Sequence, residues 1–128
     1  MSGRSLLVVD DSATFRQLLC MSLQRVDGIS KGDITEASDG AEALEKVKSS
    51  SFDLVLTDIR MPKMDGLEFV RHVRTDLQRH DLPIIIISTK GADEDIELGM
   101  SLGASGYLSK PISMTRLREL VTGFLPEQ

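Results

Sequence analysis

The sequence predicts an α/β fold in which a doubly wound parallel sheet of five strands is covered by helices on both faces. Short and nearly continuous apolar runs, each followed by polar residues, are typical of strands buried on both faces. Amphipathic stretches with helical spacing separate these runs along the chain. Five alternating strand–helix units of this kind indicate a doubly wound α/β sandwich.

The strands are predicted from the apolar runs in chain order. Residues 6–9, 54–56 and 84–87 form the clearest runs, and each precedes polar side chains. Residues 34–37 and 107–108 form weaker runs that supply the second and fifth strands. All of these runs are too short to span a bilayer, so the sequence predicts no membrane insertion.

Apolar residues spaced three and four apart predict a helix after each strand. The first and last helices have the longest apolar faces. The residues that define the five faces are, in chain order, Phe15, Leu18, Leu19 and Leu23; Leu44 and Val47; Leu67 and Val70; Ile96 and Met100; and Leu117, Leu120, Val121 and Phe124. Asp39 before the second helix and Ser113 before the last are predicted N-caps.

Length and composition limit the domain organisation and the partners. The chain has 128 residues, 41% of them apolar and 27% charged, and is predicted to form one domain (1–128) with a core over about residues 5–125. Only four residues follow Phe124, so the sequence predicts no output domain in this chain. The net charge of −5 argues against nucleic acid as a partner, because phosphate binding requires a basic surface. Since no secretory signal is recognised, we expect a cytoplasmic protein.

Polar side chains with complementary chemistry follow four of the predicted strands. Asp10 and Asp11 follow the first strand, and Asp58 follows the third. Ser88 follows the fourth strand, and Lys110 follows the fifth. In a doubly wound sheet, ligands bind beyond the carboxyl ends of the strands, near the point where the strand order reverses. We therefore expect these five side chains to converge on one site.

The residue types at this edge suit a cation site that handles a phosphoryl group. Three neighbouring carboxylates repel one another, so they favour a shared proton or a bound cation. Mg²⁺, with Mn²⁺ as an alternative, accepts ligation by oxygen atoms alone and can bridge to a phosphoryl oxygen. Asp58 is a suitable carboxylate nucleophile that would form an acyl phosphate. Lys110 and the Ser88 hydroxyl would contact the phosphoryl oxygens.

Residues 58–66 read Asp-Ile-Arg-Met-Pro-Lys-Met-Asp-Gly, and they stand between the acid pair and the Lys110-Pro111 dipeptide. With these motifs the chain resembles the receiver domains of two-component response regulators over residues 6–124, and is similar to the stand-alone chemotaxis (CheY-like) type. The resemblance implies a flavodoxin-like fold with strand order 2-1-3-4-5. It also implies a signalling switch that a sensor histidine kinase phosphorylates in a Mg²⁺-dependent reaction.

The resemblance assigns roles to the site residues by matching positions. It makes Asp58 the phosphoacceptor and Asp10 and Asp11 the metal-binding acid pair. It adds the main-chain carbonyl of Arg60 as a further metal ligand, and makes Lys110 the lysine that contacts the phosphoryl group. A protein of this kind would catalyse only its own phosphorylation and dephosphorylation, and we expect no other enzyme activity.

The resemblance also implies how the switch would work. Ser88 falls on the switch hydroxyl and Tyr107 on the switch aromatic, and the bond between Lys110 and Pro111 is commonly cis in the family. A downstream protein target would bind the face formed by the fourth helix, the fifth strand and the fifth helix. We expect a monomer or a weak, phosphorylation-dependent dimer, while the kinase, the target and the pathway stay open.

Three residues depart from the usual pattern of the family. Arg60 and Lys90 are long cations on either side of the predicted phosphoryl site, and Thr89 stands where a smaller residue is usual. We expect Arg60 and Lys90 to alter the access of the hydrolytic water and so the lifetime of the acyl phosphate. We expect Thr89 to narrow the mouth of the site and to slow phosphorylation by small donors such as acetyl phosphate.

Other functions on a similar sheet are disfavoured by particular residues. A phosphohydrolase with an aspartyl-phosphate intermediate typically needs a second acid two residues after the nucleophile, where this chain has Arg60. A flavin carrier or a dinucleotide enzyme would need a phosphate loop of another composition after the first strand. A phosphorylation-independent protein-binding receiver module stays open, as does a phosphate sink in a relay.

Overall fold

Five strands alternate with five α-helices in the computed structural model, which describes residues 4–89 and 92–125. The strands are β1 (Leu6–Val9), β2 (Ile34–Ala37), β3 (Leu54–Asp58), β4 (Ile84–Ser88) and β5 (Gly106–Ser109). The α-helices are α1 (Ala13–Leu23), α2 (Gly40–Ser49), α3 (Gly66–Arg71), α4 (Asp93–Leu102) and α5 (Met114–Phe124). A 3₁₀ turn (Lys31–Asp33) precedes β2, and a π-helical turn (His72–Asp76) continues α3.

The strands form one parallel sheet in the order β2-β1-β3-β4-β5. The predicted doubly wound fold and its strand order are therefore confirmed. The order reverses between β1 and β3, where Val9 pairs with Thr57. Because all strands run in the same direction, their carboxyl ends meet at one edge, and the residues after them are brought together there.

Alternate residues of each strand supply two separate cores, one on each face of the sheet. One core contains Leu7, Val9 and Val55 and is covered by buried residues of α2 and α3. The other contains Leu6 and Val8 and is covered by buried residues of α1 and α5. Burial of both faces explains why the strands appear as continuous apolar runs in the sequence.

Side-chain caps fix where the helices begin, and so fix the loops at the site. The Asp39 and Ser113 side chains accept hydrogen bonds from backbone N–H groups in the first turns of α2 and α5, which confirms both predicted caps. Ser12 caps α1 in the same way and Asp65 caps α3. Each of these caps lies on the edge of the sheet that carries the polar residues.

Three strands extend further than the apolar runs predicted, and one of them, β5, does so by one residue at each end. β3 includes Thr57 and Asp58, and β4 includes Ser88. The backbone of Asp58 pairs with Ile87 and that of Ser88 with Ser109, so the ladder of hydrogen bonds continues past the last apolar side chain. As a result, the two polar side chains stand on rigid strand ends.

Within residues 4–89 and 92–125, no helix combines the length and apolar character needed to cross a membrane.

Candidate functional site

Three carboxylates converge at the carboxyl edge of the sheet, as the sequence predicts. Asp10, Asp11 and Asp58 each offer an oxygen atom, and these atoms lie within 4.8 Å of one another. The Asp10 side chain is 1% exposed and Asp58 is buried, whereas Asp11 is exposed at the mouth of the cluster. The site is therefore open on the Asp11 side and closed beneath Asp10.

The backbone around β1 places the acid pair. Asp10 donates its N–H to the carbonyl of Ala37 at 3.1 Å, which keeps the end of β1 in the sheet. The Asp10 Oδ1 atom accepts from the N–H of Ser12 at 2.8 Å, and the Ser12 hydroxyl in turn caps α1. Arg16 donates to the carbonyl oxygen of Asp10 at 2.5 Å. Asp10 is thus held by its neighbours on three sides.

A close approach between β3 and α3 places Asp58. The N–H of Gly66 donates to the carbonyl of Ile59 at 2.8 Å, which returns the chain to the strand end. A Cβ atom at Gly66 would lie 2.2 Å from the carbonyl oxygen of Asp58, so a larger residue there would displace the loop. The Asp58 Oδ1 atom accepts from the N–H of Ile59 at 2.8 Å. The other oxygen, Oδ2, faces the cluster.

Lys110 reaches the cluster from the end of β5. Its Nζ atom lies 3.4 Å from Asp58 Oδ2 and 3.5 Å from Asp10 Oδ2, so one ammonium group faces two carboxylates. The same atom lies 4.1 Å from the centre of the Phe15 ring on α1, a cation–π distance. The N–H of Lys110 donates to the carbonyl of Ser88 at 2.8 Å, and the bond to Pro111 is cis.

Two buried oxygen atoms at the site lack a hydrogen-bond partner among the described residues, namely Asp10 Oδ2 and Ser88 Oγ. Burial raises the pKa of Asp10, and the neighbouring charge of Asp58 raises it further, while the Ser12 N–H and Lys110 oppose this shift. The cluster consists of carboxylate oxygens, and one of them is buried without a hydrogen bond from any described residue. Oxygen atoms of this kind are the ligands that Mg²⁺ accepts. The residues present therefore fit a divalent cation.

Ser88 and Tyr107 lie on neighbouring strands near the cluster. Ser88 is buried at the end of β4, while Tyr107 on β5 is exposed. The Arg116 guanidinium lies 6.0 Å from the centre of the Tyr107 ring. The Ser88 hydroxyl is thus buried at the end of its strand, whereas the Tyr107 ring lies at the surface.

The three residues that depart from the family pattern have different surroundings. The Arg60 side chain extends to α4, where its Nη2 atom lies 2.6 Å from Asp95 Oδ2. Thr89 is exposed and lines an open groove with Phe15 and Lys110. Lys90 lies outside the described residues. The expected effects of all three on phosphate lifetime or uptake stay predictions.

Two residues at the site were not singled out from the sequence. The sequence predicts Phe15 only as part of the apolar face of α1, and it gives no indication that Asp95 lies near the site. Each contact joins residues far apart in the chain, so no local pattern indicates it. The one available signal was the position of Phe15 one helical turn after the acid pair.

Comparison with known proteins identifies the family. The family model of the response regulator receiver domain matches residues 6–122. The chain belongs to this family, the receiver domains of two-component systems, whose general role is that of a phosphorylation switch.

Chemotaxis proteins are among its similar relatives. The chain is 38% identical to the chemotaxis protein CheY1 of Helicobacter pylori over 115 residues, which cover 89% of this chain and 90% of that protein. It is 36% identical over 123 residues to the alkaline phosphatase synthesis transcriptional regulatory protein PhoP of Bacillus subtilis, covering 96% of this chain and 49% of PhoP. The match therefore includes a stand-alone relative and one of about twice the matched length.

Solved structures agree with this assignment. The chemotaxis protein CheY4 of Vibrio cholerae has a TM-score of 0.83 and 34% identity, and the match covers 97% of this chain and all of that one (100%). The receiver domain of NtrX from Brucella abortus has a TM-score of 0.83 and 28% identity, with coverage of 94% and 98%. The CheY-like, flavodoxin-like receiver fold is thus confirmed.

Proposed function

We propose that this receiver domain accepts a phosphoryl group from the phosphohistidine of a sensor histidine kinase on Asp58, and then binds a downstream protein through a changed surface. The observation that carries the proposal is the convergence of Asp58, Asp10 and Lys110 around a buried oxygen, Asp10 Oδ2, which lies 3.5 Å from the Lys110 ammonium but accepts no hydrogen bond from any described residue. A structural ion-pair network would instead satisfy its buried atoms.

We assign the metal site to Asp10, Asp11, Asp58 and the main-chain carbonyl of Arg60. When bound there, Mg²⁺ would neutralise the charge that develops on the phosphoryl oxygens. Asp10 would supply its buried Oδ2 atom and Asp11 its exposed carboxylate. Metal ligation requires the ionised carboxylate, so binding would draw Asp10 into its charged form.

The transfer step is a displacement at phosphorus. Asp58 Oδ2 attacks, because Oδ1 is occupied by the N–H of Ile59. An O–P bond forms, the P–N bond of the phosphohistidine breaks, and the electron pair returns to the imidazole nitrogen. Lys110, held beside Oδ2, contacts a transferred oxygen and offsets its charge. Water later attacks the acyl phosphate and releases inorganic phosphate and the Asp58 carboxylate.

The switch would couple this chemistry to the α4–β5–α5 face. The buried Ser88 hydroxyl, which lacks a partner within the described chain, is free to donate to a phosphoryl oxygen. Tyr107 would follow into the space that Ser88 leaves. Leu98, Met100 and Tyr107 are exposed large side chains on α4 and β5, a composition suited to a protein partner. Phosphorylation then biases a two-state equilibrium of this face.

The proposal makes the chain a switch and not a turnover enzyme. Arg60 stands where a phosphohydrolase typically needs its second acid, so we expect no hydrolysis of external phosphate esters. We propose that the exchange takes place in the cytoplasm, where a kinase would form its phosphohistidine from ATP.

The decisive experiment measures intact mass after incubation with Mg²⁺ and acetyl phosphate, and in parallel with a phosphohistidine kinase. We expect a gain of one phosphoryl group. The gain is lost in the Asp58→Asn variant and in excess EDTA. The Asp53→Asn variant, which removes a carboxylate that accepts from Ser5 at the opposite edge of the sheet, retains it. Absence of any gain from both donors would favour a phosphorylation-independent binding module.

A further inference from the structure

One ion pair joins the loop after the phosphoacceptor to the start of α4. Arg60 Nη2 lies 2.6 Å from Asp95 Oδ2, across a separation of 35 residues. We propose that Asp95 is a positioning residue, which holds the Arg60 guanidinium away from Asp58 in the unmodified protein and yields it to the phosphoryl group afterwards. This inference rests on the proposed function, because it requires phosphorylation of Asp58.

Asp95 determines where the Arg60 side chain lies. The Asp95 side chain is 22% exposed and stands in the first turn of a regular helix, whereas the Arg60 side chain is 79% exposed and belongs to a loop. A mobile, exposed arginine follows the acceptor that attracts it most strongly. Exposed ion pairs are also weak, so a stronger acceptor nearby can replace the first.

Phosphorylation would create such an acceptor two residues before Arg60. It converts the Asp58 carboxylate into a group with more negative charge and three further oxygen atoms. The planar guanidinium of arginine binds such oxygen atoms in pairs, and more strongly than it binds a solvated carboxylate. The Arg60 guanidinium is therefore expected to leave Asp95 for the phosphoryl oxygens only when Asp58 is phosphorylated.

Among the first-turn acids of α4, Asp95 is distinguished by this contact. Asp93 and Glu94 are exposed and form no ion pair within the described part of the chain, while Asp95 is half-buried and paired. All three favour the positive end of the helix dipole equally well. Only Asp95 connects that helix to the site.

The change of partner by Arg60 would affect the first turn of α4 more than the middle of the helix. A Cβ atom at Gly99 would lie 2.4 Å from Ile86 Cδ1, so the middle of the helix packs tightly on β4. The first turn is held less firmly, because Ala92 at its N-cap provides no side-chain hydrogen bond. Loss of the pair with Arg60 would loosen this turn while the packed middle stays in place. The exposed side chains of Leu98 and Met100 follow on the same helix.

The exchange would also lengthen the life of the acyl phosphate. An Arg60 guanidinium bonded to a phosphoryl oxygen covers the open side of the group and hinders the approach of water. Asp95 competes for the same guanidinium and so keeps the lifetime short. Removal of the competing charge by Asp95→Asn is expected to lengthen the lifetime about two- to fivefold, the range for an exposed ion pair.

The test is a double-mutant cycle on the rate of dephosphorylation. The wild type, Asp95→Asn, Arg60→Met and the double variant are phosphorylated with acetyl phosphate and Mg²⁺, the donor is removed, and phosphate loss is followed by intact mass. We expect Asp95→Asn to slow the loss with Arg60 present and to have no effect with Met at position 60. An equal effect in both backgrounds, or none in either, would overturn the inference.

A matched control and a second readout distinguish the positioning of Arg60 by Asp95 from a general effect of removing a negative charge from the first turn of α4. Asp93→Asn removes a first-turn charge without touching Arg60, and it is expected to leave the rate unchanged; an effect equal to that of Asp95→Asn would overturn the inference. The Arg60 Nε resonance in NMR spectra is expected to shift when beryllium fluoride and Mg²⁺ are added to the wild type. A resonance that stays in place would also contradict the exchange.

The two proposals can fail separately. If the wild type gains a phosphoryl group and the cycle shows no coupling, only the role of Asp95 is wrong. If no variant is phosphorylated by acetyl phosphate or by a kinase, the proposed function and this inference both fall.

Discussion

Two cations lie close to the sheet in this protein, and their surroundings differ. Arg74, in the π-helical turn, is buried and donates to the carbonyls of Gly103 and Arg79 at 2.9 and 2.7 Å, and to the hydroxyl of Ser105 at 3.4 Å. Lys110 Nζ lies 3.4 Å from Asp58 Oδ2 and 3.5 Å from Asp10 Oδ2, and the buried Asp10 Oδ2 atom accepts no hydrogen bond from any described residue. Each guanidinium nitrogen of Arg74 therefore makes a hydrogen bond, whereas Asp10 Oδ2 beside Lys110 makes none with the described residues.

The difference indicates what each cluster is for. Arg74 joins the end of α3 to the start of β5 through neutral acceptors, and burial lowers its pKa. Nothing in that arrangement calls for a ligand. Around Lys110 the carboxylates outnumber the single cation, so a bound metal ion or the uptake of a proton would stabilise the site. The satisfied polar groups around Arg74 stabilise the fold, whereas the unsatisfied oxygen atoms of Asp10 and Ser88 lie together where a phosphoryl group and a cation are expected.

The largest expected effect comes from removing the cation at the unsatisfied cluster. Lys110→Met should slow phosphoryl uptake by about 10²-fold, because a charge that stabilises the transferred group is lost. Uptake from acetyl phosphate in Mg²⁺ measures this. Lys46→Met, which removes a half-buried cation near Glu42 on α2, is the matched control and should react at the wild-type rate.

The opposite result is expected at the satisfied cluster. Arg74→Met should lower the free energy of unfolding by about 2 to 3 kcal/mol, because buried carbonyls lose their donors. Urea denaturation measures the loss, and Arg71→Met on the exposed side of α3 provides the comparison. Phosphoryl uptake by the folded variant should stay near the wild-type rate. If the Arg74→Met protein were stable but took up phosphoryl groups slowly, the Arg74 cluster would serve phosphoryl transfer and not stability, and the comparison would be wrong.

A smaller effect should appear in the pH dependence of stability without metal. Because the pKa of Asp10 is raised, the folded state binds its proton more tightly than the unfolded state does. The free energy of unfolding in EDTA should therefore fall as the pH rises from the ordinary carboxyl pKa of 3.8 through the raised pKa of Asp10. Asp10→Asn should remove this slope and raise the free energy of unfolding at pH 7, because no carboxylate then has to be buried in its charged form.

The exposed Asp11 offers the control for that measurement. Asp11→Asn should leave the slope in place, because its carboxylate stays in water. Addition of Mg²⁺ should stabilise the wild type and have little effect on Asp10→Asn. If both variants showed the same slope in EDTA, burial of Asp10 would not be its source.

The smallest effect concerns the aromatic ring that lies against Lys110. Phe15→Leu keeps an apolar side chain on α1 but removes the ring face 4.1 Å from the ammonium. We expect phosphoryl uptake to slow about two- to threefold, because a cation–π contact that is only partly shielded from water contributes little. Leu18→Ala, a change at an exposed position on the same helix, should not alter the rate. An unchanged Phe15→Leu rate would show that the two carboxylates alone place Lys110.

Much of the site could be predicted from the sequence because the fold converts chain order into position. Asp10, Asp58 and Lys110 follow strands in the sequence, and the ends of parallel strands meet at one edge. The predicted caps at Asp39 and Ser113 depend on neighbours three residues away, so they too could be predicted locally. The ends of β3 and β4 could not, since the ladder is set by the adjacent strand and not by the apolar run.

By itself the sequence determined the alternation of strands and helices, the acidic edge and the lysine that faces it, because these follow from periodicity and residue type. Only the tertiary structure decided that Arg60 pairs with Asp95, that Phe15 lies against Lys110, and that one Asp10 oxygen lacks a donor. Each of these depends on how a helix packs on the sheet and which rotamer its side chains adopt. Such contacts join residues distant in the chain, and local sequence carries no record of them.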